Sequence, residues 1–334
     1  MSIADLIDPS RLAKGLWWEK TVTAVEGCSP ASPACDHCWA EAGANMRQSN
    51  PSVAHRHAGL LTGGRYNGTI RLMHDDILKP LRWRKPAVIT WWNDVFHEKV
   101  PFEFIDGIMS IIALTLRHVH IICTKRPQRA SDYFQWDRSS SAPIPRPRSK
   151  TNISPNPGKD DPLPNLILMT TAEDQQRADE RIPWLLKCPA ACHSVAIEPM
   201  LDAVDLRPWL RPSWGELAPC ACGGESRPLL PAIGHVILGG ESGKGARPLL
   251  PTYVQRVRDH CAETGTPFLF KQWGEWVPEY VLEGETHQKG SQDRIGTNRT
   301  PDGRACYLVR VGKKAAGRLL DGRTHDGYPE VPHG

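Results

Sequence analysis

The chain has 334 residues, with 41 Lys and Arg against 37 Asp and Glu, a formal net charge of +4. Its pI is near 8.5. That length suits one large α/β domain or two ordinary ones, and so mild a basic excess does not by itself mark a nucleic-acid binder. No apolar run approaches the ~18 residues of a membrane span, so no membrane partner is expected.

The opening stretch "MSIADLIDPSRLAKGLWWEK" carries Asp5 and Asp8 and lacks an apolar core, so it does not read as a signal peptide. The expected location is cytoplasmic, where thiols stay reduced. Seven short, apolar, β-rich segments follow. They are "TVTAVEG" (21–27), "AVITWW" (87–92), "HVHIICT" (118–124), "NLILMTT" (165–171), "CHSVAIEP" (192–199), "HVILGG" (235–240) and "PFLFKQW" (267–273). Most run into helix-like stretches. Nearly continuous apolar strands alternating with helices predict parallel βαβ units. The expected fold is α/β, a full or partial parallel (β/α) barrel over 15–276. A doubly wound open sheet is the runner-up. Ser-, Pro- and charge-rich insertions are expected at about 137–164 and 206–234. A polar extension, 277–334, is expected to pack on the barrel, with a short strand and basic helix in "LVRVGKKAAGRLLDGR" (308–323).

In parallel α/β folds, sites form outside the C-terminal ends of the strands. Those positions hold Asn93, Asp94 and His97 after the second segment, and Lys125 and Arg126 after the third. Glu173 and Asp174 follow the fourth, and Glu198 ends the fifth. "GGESGKGARP" after the sixth brings Gly239, Gly240, Glu241, Ser242, Lys244 and Arg247, and the seventh ends at Lys271, Gln272 and Trp273. Loops are polar in any protein, and N-caps account for Asp174 and Ser242. The recurrence of charged and amide groups at one end of every unit is what favours a shared pocket. Asp94, Lys125, Glu173, Glu198 and Lys271 are the candidate catalytic residues. Asn93, Gly239, Gly240, Glu241, Ser242 and Arg247 are the candidate cofactor-binding residues.

The densest chemistry is "GCSPASPACDHCWAE" (27–41), with Cys28, Cys35 and Cys38 after the first strand segment. A disulfide is disfavoured in a reducing compartment. Zinc would need a fourth ligand; His37 is nearest in sequence but sits inside the short Cys35–Cys38 bite. A [4Fe–4S] cluster takes four protein thiolates as a rule, so three leave one iron open to a non-protein ligand. Both metals stay in view. Of the other seven cysteines, Cys123, Cys192, Cys261 and Cys306 read as buried hydrophobes. Cys188 lies near Cys192 without other ligands, and Cys220 with Cys222 forms a lone C-x-C.

A three-cysteine loop after the first strand of a barrel resembles the radical S-adenosylmethionine superfamily. The chain more closely resembles a family of phage- and prophage-borne proteins of unknown function with a radical-SAM-like three-cysteine motif. The matching stretches include "GCSPASPACDHCWAE", "NDVFHEKVPFEFID", "CTKRPQRA", "TTAEDQQRADERIPWLL", "VILGGESGKGARPL" and "PFLFKQWGEW". The resemblance implies that Cys28, Cys35 and Cys38 ligate three irons of a [4Fe–4S] cluster. It implies S-adenosylmethionine on the fourth iron, and an electron donor of flavodoxin or ferredoxin type. Three features depart from the superfamily pattern. The first cysteine gap is longer, His37 stands where an aromatic normally precedes the last cysteine, and the Gly-Gly-Glu segment follows the sixth strand rather than the second. Lys125, Arg126, Arg247 and "GKKAAGR" point to a nucleic acid or nucleotide as substrate. The alternative is a nucleic-acid-processing or binding protein with structural zinc in the cysteine loop.

Overall fold

A computed structural model describes residues 3–136, 162–210, 232–282, 294–296 and 307–331. Seven parallel strands form its main sheet: β1 (Lys20–Thr23), β2 (Val88–Trp92), β3 (Val119–Thr124), β4 (Leu166–Thr171), β5 (Cys192–Ile197), β6 (His235–Gly239) and β7 (Phe268–Gln272). Neighbours in the sheet are neighbours in sequence, and the sheet curls into a half-barrel. A doubly wound sheet would reverse its strand order part-way; this one does not. The barrel is partial, because β1 and β7 do not pair.

Side chains alternate between the two faces of the sheet. On the outer face, Ile89, Trp91, Leu168 and Val195 pack in one core with the helices. These helices are α2 (Phe102–Leu114), α3 (Pro127–Gln135), α4 (Gln175–Leu185) and α5 (Pro251–Thr264); α1 (Trp39–Gln48) instead packs its Ala44 in a small separate cluster with Leu60 and Tyr66. On the inner face, Ile121, Ile167, Ile237 and Leu269 form a second core with Ile3, Ile7, Trp17 and Val331. The chain's two ends therefore line the concave side. With both faces covered, all six residues of β4 are buried, which is why it carries no alternating pattern.

The edge of β7 is covered. Phe270 N–H donates to His325 O at 3.0 Å and Gly327 N–H to Phe268 O at 2.9 Å. Arg318 donates to Leu12 O, Phe270 O and Asp326, tying the N-terminal segment and the C-terminal segment to the same strand. Beyond β7, a small antiparallel sheet joins Trp276–Pro278, Tyr307–Arg310 and Arg294–Gly296. The expected basic helix is one turn, Lys313–Ala316. Most of the two expected insertions, the Cys220/Cys222 pair and Cys306 lie outside the described residues.

Candidate functional site at the strand ends

The cysteine loop leaves β1 through Val25–Glu26, which pairs with Arg71–Leu72. Gly27 has φ 92°, and a Cβ there would lie 2.0 Å from Thr69 O, so no other residue fits. The loop is then clamped from several sides. Gly68 N–H donates to Cys28 O at 3.1 Å. Arg65 donates to Cys35 O at 3.1 Å, Arg126 to Ser29 O at 3.1 Å and Arg247 to Pro33 O at 3.0 Å. Cys35 ends a single helical turn, and Cys38 caps α1.

All three thiols are unpaired. Burial pushes Cys28 up to about 12, assisted by the Asp94 charge and opposed by Arg126. Burial also raises Cys38, against the backbone amides of Glu41 and Ala40 and the Lys125 ammonium. Both therefore stay protonated at neutral pH without a metal, whereas a bound metal deprotonates its thiols outright. The sulfurs lie within electrostatic reach of one another, since Cys28 feels Cys35 and Cys38. The described residues hold no group of three or more His, Cys, Asp or Glu at metal-holding geometry. The His37 ring packs on the loop after β6, its Cε1 2.8 Å from where a Gly245 Cβ would stand. The donor set of the loop is thus three thiols. That chemistry fits a group that needs three thiolates and brings its own fourth ligand.

Several strand-end residues hold this loop in place. Asp94 is buried and accepts from Phe96 N–H (3.1 Å), the Thr124 hydroxyl (2.6 Å), Lys125 N–H (3.3 Å) and Arg126 (2.7 Å). Arg126 passes the restraint on to Ser29 and Glu98. Asn93, at φ 62°, donates to Val25 O at 2.6 Å. Glu241 accepts both from Arg247 N–H and from its guanidinium, at 2.7–2.9 Å. Its neighbour Gly240 admits no Cβ, which would fall 1.8 Å from Trp273 O. The Gly-Gly-Glu segment is therefore built for close approach of the loops after β6 and β7. Ser242 is not a helix cap, because α5 begins at Pro251 and is capped by Leu250.

A second set faces the concave mouth. Lys271 Nζ lies 2.7 and 2.9 Å from the two Glu198 oxygens and 5.6 Å from the Trp18 ring centre. Gly239 lies under this pair. A Cβ on it would stand 3.3 Å from Glu198 Cγ. Lys313 approaches the same pair, and burial and then Lys271 push its pKa down. Glu173 accepts from Arg181 at 2.9 Å. Its carboxyl is held low chiefly by Arg181, against burial, with Ser32 of the cysteine loop close by. Among the described residues Glu173 Oε1 and Ser32 Oγ meet no third hydrogen-bonding group, and the Ser32 hydroxyl lies close enough to help lower the Glu173 carboxyl. Lys125 acts electrostatically on Cys38, Cys123 and Glu173 and forms no ion pair among the described residues.

Cys28, Cys38, Lys125, Glu173, Glu198, Lys271 and Gly239 thus share one mouth. Asn93, Asp94, Glu241 and Arg247 brace the cysteine loop, and Ser242 does neither. The sequence reading missed Ser29, Arg65 and Trp18. Arg65 comes from 50–75, a stretch with no clear period to place it. Lys313 was visible only as part of a basic run.

The chain belongs to the family described as "Protein of unknown function (DUF5131)". The match covers residues 13–329. No curated protein and no solved structure matches the chain. The matched span includes the cysteine loop, all seven strands and the segment that covers β7, so the family unit contains the complete mouth. It also contains a cavity of about 1150 Å³ at the other end of the sheet, lined by Cys188, Cys192, His193, Gly234 and Pro267. Burial pushes Cys188 and Cys192 up to about 12 and His193 down, leaving neutral, inert groups. The cavity borders Pro162 and Ala232, which flank segments outside the described residues. The strand-end mouth carries the candidate chemistry.

Proposed function

We propose that this chain is an iron–sulfur enzyme of the radical S-adenosylmethionine type, acting on a nucleic acid or nucleotide. The observation that carries the reading is the cysteine loop. Three thiols stand at the C-terminal mouth of a parallel half-barrel, on a loop braced by Arg126 and Arg247 from the loops after β3 and β6. Its histidine is turned to Gly245. The resemblance of the cysteine stretch to that superfamily supports the same conclusion.

Cys28, Cys35 and Cys38 would hold a [4Fe–4S] cluster, which with S-adenosylmethionine supplies one-electron reductive cleavage and hydrogen abstraction. The chain's residues do the rest. Lys125, without a carboxylate partner at ion-pair distance among the described residues, offers its ammonium to the carboxylate of S-adenosylmethionine or to a substrate phosphate. Lys271 Nζ donates to Glu198 Oε2 at 2.9 Å, which orients that carboxylate across Gly239. Glu173 and Ser32, which lie against each other, would present a carboxylate and a hydroxyl to a ligand at the mouth. The N-terminal segment, through Trp17, excludes water from the concave core. A flavodoxin- or ferredoxin-type protein would deliver the electron.

Anaerobic reconstitution of the full chain with iron and sulfide tests this. The expected outcome is about four irons per chain with visible charge-transfer absorbance, lost in Cys35→Ala. Release of 5′-deoxyadenosine on adding S-adenosylmethionine and a strong reductant is expected next. A colourless protein that retains one stoichiometric zinc overturns the reading.

A further inference from the structure

Of the chain's 12 tryptophans, five lie at or beside the strand ends in sequence: Trp39, Trp91, Trp92, Trp273 and Trp276. Trp91, Trp273 and Trp276 are buried and serve packing, whereas Trp39 is 59% exposed. Trp39 is the first residue of α1, immediately after Cys38. Its ring meets Trp92 edge-on, with centroids 5.3 Å apart and planes at 69°. The Arg47 guanidinium lies 5.7 Å from the Trp92 ring centre. Trp39 and Arg47 are two turns apart on α1 and share a face. Gly43 lies between them. A Cβ there would stand 3.2 Å from Arg47 Nη1. The helix thus carries a poor helix former where a side chain would crowd the guanidinium. Among the described residues Arg47 forms no ion pair at contact distance, and its charge reaches the buried Glu26 only from further off.

We propose that Trp39, Trp92 and Arg47 form a stacking platform for an unpaired base of single-stranded nucleic acid, at the mouth beside Cys38. This rests on reading the mouth as an enzyme site for nucleic acid, and it names the form of the substrate. An exposed indole offers a sequence-tolerant π-face to a base, and an unpaired arginine beside it suits the adjoining phosphate. A duplex base could not reach a buried thiol loop without leaving its stack. Lys125 extends the positive charge inward, since it acts on the adjacent Cys38.

The test is fluorescence anisotropy of labelled short oligo(dA) and oligo(rA), with the full chain both reconstituted and free of metal. Trp39→Ala is expected to weaken binding about tenfold or more, with Trp39→Phe keeping most of it. Arg47→Met is expected to weaken binding and to lower the salt slope by about one counterion. The ratio between the two strands assigns DNA or RNA. Circular dichroism of each variant must match the parent, as exposure of Trp39 leads one to expect. Unchanged affinity in Trp39→Ala, or no binding of either strand, overturns the platform. So does a Trp39→Ala loss confined to electron delivery from a flavodoxin-type donor. A chain that binds strands through Trp39 but takes up no cluster would sink the iron–sulfur reading alone. A chain that takes up the cluster but binds no strand would sink the platform alone.

Discussion

Asp94 sits where a catalytic carboxylate would, yet its surroundings give it another task. A carboxylate has about four acceptor positions. Here all are taken, by Phe96 N–H, the Thr124 hydroxyl, Lys125 N–H and Arg126. No lone pair is left for a substrate proton. The pair with Arg126 is desolvated, each side chain being 9% exposed. Removing one partner of such a pair strands the other charge. Asp94→Ala is therefore expected to lower the unfolding free energy by about 3–5 kcal/mol, measured by urea denaturation, with release of the Ser29 clamp. An unchanged midpoint together with lost turnover would return Asp94 to catalysis. Lys125 differs, because no ion pair among the described residues satisfies its charge. Substituting it is expected to spare the fold.

At the scale of elements, local sequence signals set the helix ends. Asp174 caps α4, its Oδ1 accepting from Arg177 N–H at 2.8 Å. Asp174→Ala is expected to cost about 1 kcal/mol, seen as a shifted denaturation midpoint; no shift would mean that tertiary packing alone holds that end. Pro183 falls in the last turn of α4, and the helix ends two residues later. The seven strands lie where their apolar runs place them, because burial on both faces leaves a plain composition signal in segments such as "LILMTT" and "HVILG". What was hidden depends on distant pairing. The segment at 325–327 crosses β7 through backbone bonds that carry no side-chain signature. The mini-hairpin Leu61–Thr62 with Arg65–Tyr66 is two residues a side, too short for any period to show. At the site, the cysteine spacing and the charged strand ends could be read, but which charges point inward could not. Glu241 and Glu198 look alike in sequence. One is taken up by Arg247 within its own loop, and the other reaches across Gly239 to Lys271.

Across the whole molecule, no helix of the described residues is long and apolar enough to cross a membrane. The half-barrel is instead sealed by its own ends, and that seal runs through a histidine. His235 Nε2 lies 3.1 Å from Gly327 O, an acceptor only, so this nitrogen carries the proton. His235 Nδ1 then accepts from the Ser194 hydroxyl at 3.0 Å. The ring also meets Trp17 edge-on, with centroids 5.0 Å apart. One neutral imidazole thus joins the N-terminal segment, β5 and the C-terminal segment. Burial drives its pKa down to about 3, and that of His120, set between Trp91 and Thr115, to about 3 as well. In the unfolded chain both titrate near the usual 6.5. Above that pH neither state is protonated and the folded state keeps its full stability. As pH falls below it, the unfolded chain takes up protons that the folded chain refuses. Stability is then lost at about 1.4 kcal/mol per pH unit for each ring, until the folded pKa is reached. Glu26, raised by burial, acts in the opposite sense. His235→Gln retains a donor for Gly327 O but cannot titrate. Its unfolding free energy between about pH 6.5 and 5 should therefore fall less steeply than that of the parent, by about 1.4 kcal/mol per pH unit. Equal slopes in the two proteins would mean that His235 is protonated in the fold, and that the seal is held by charge rather than by a neutral ring.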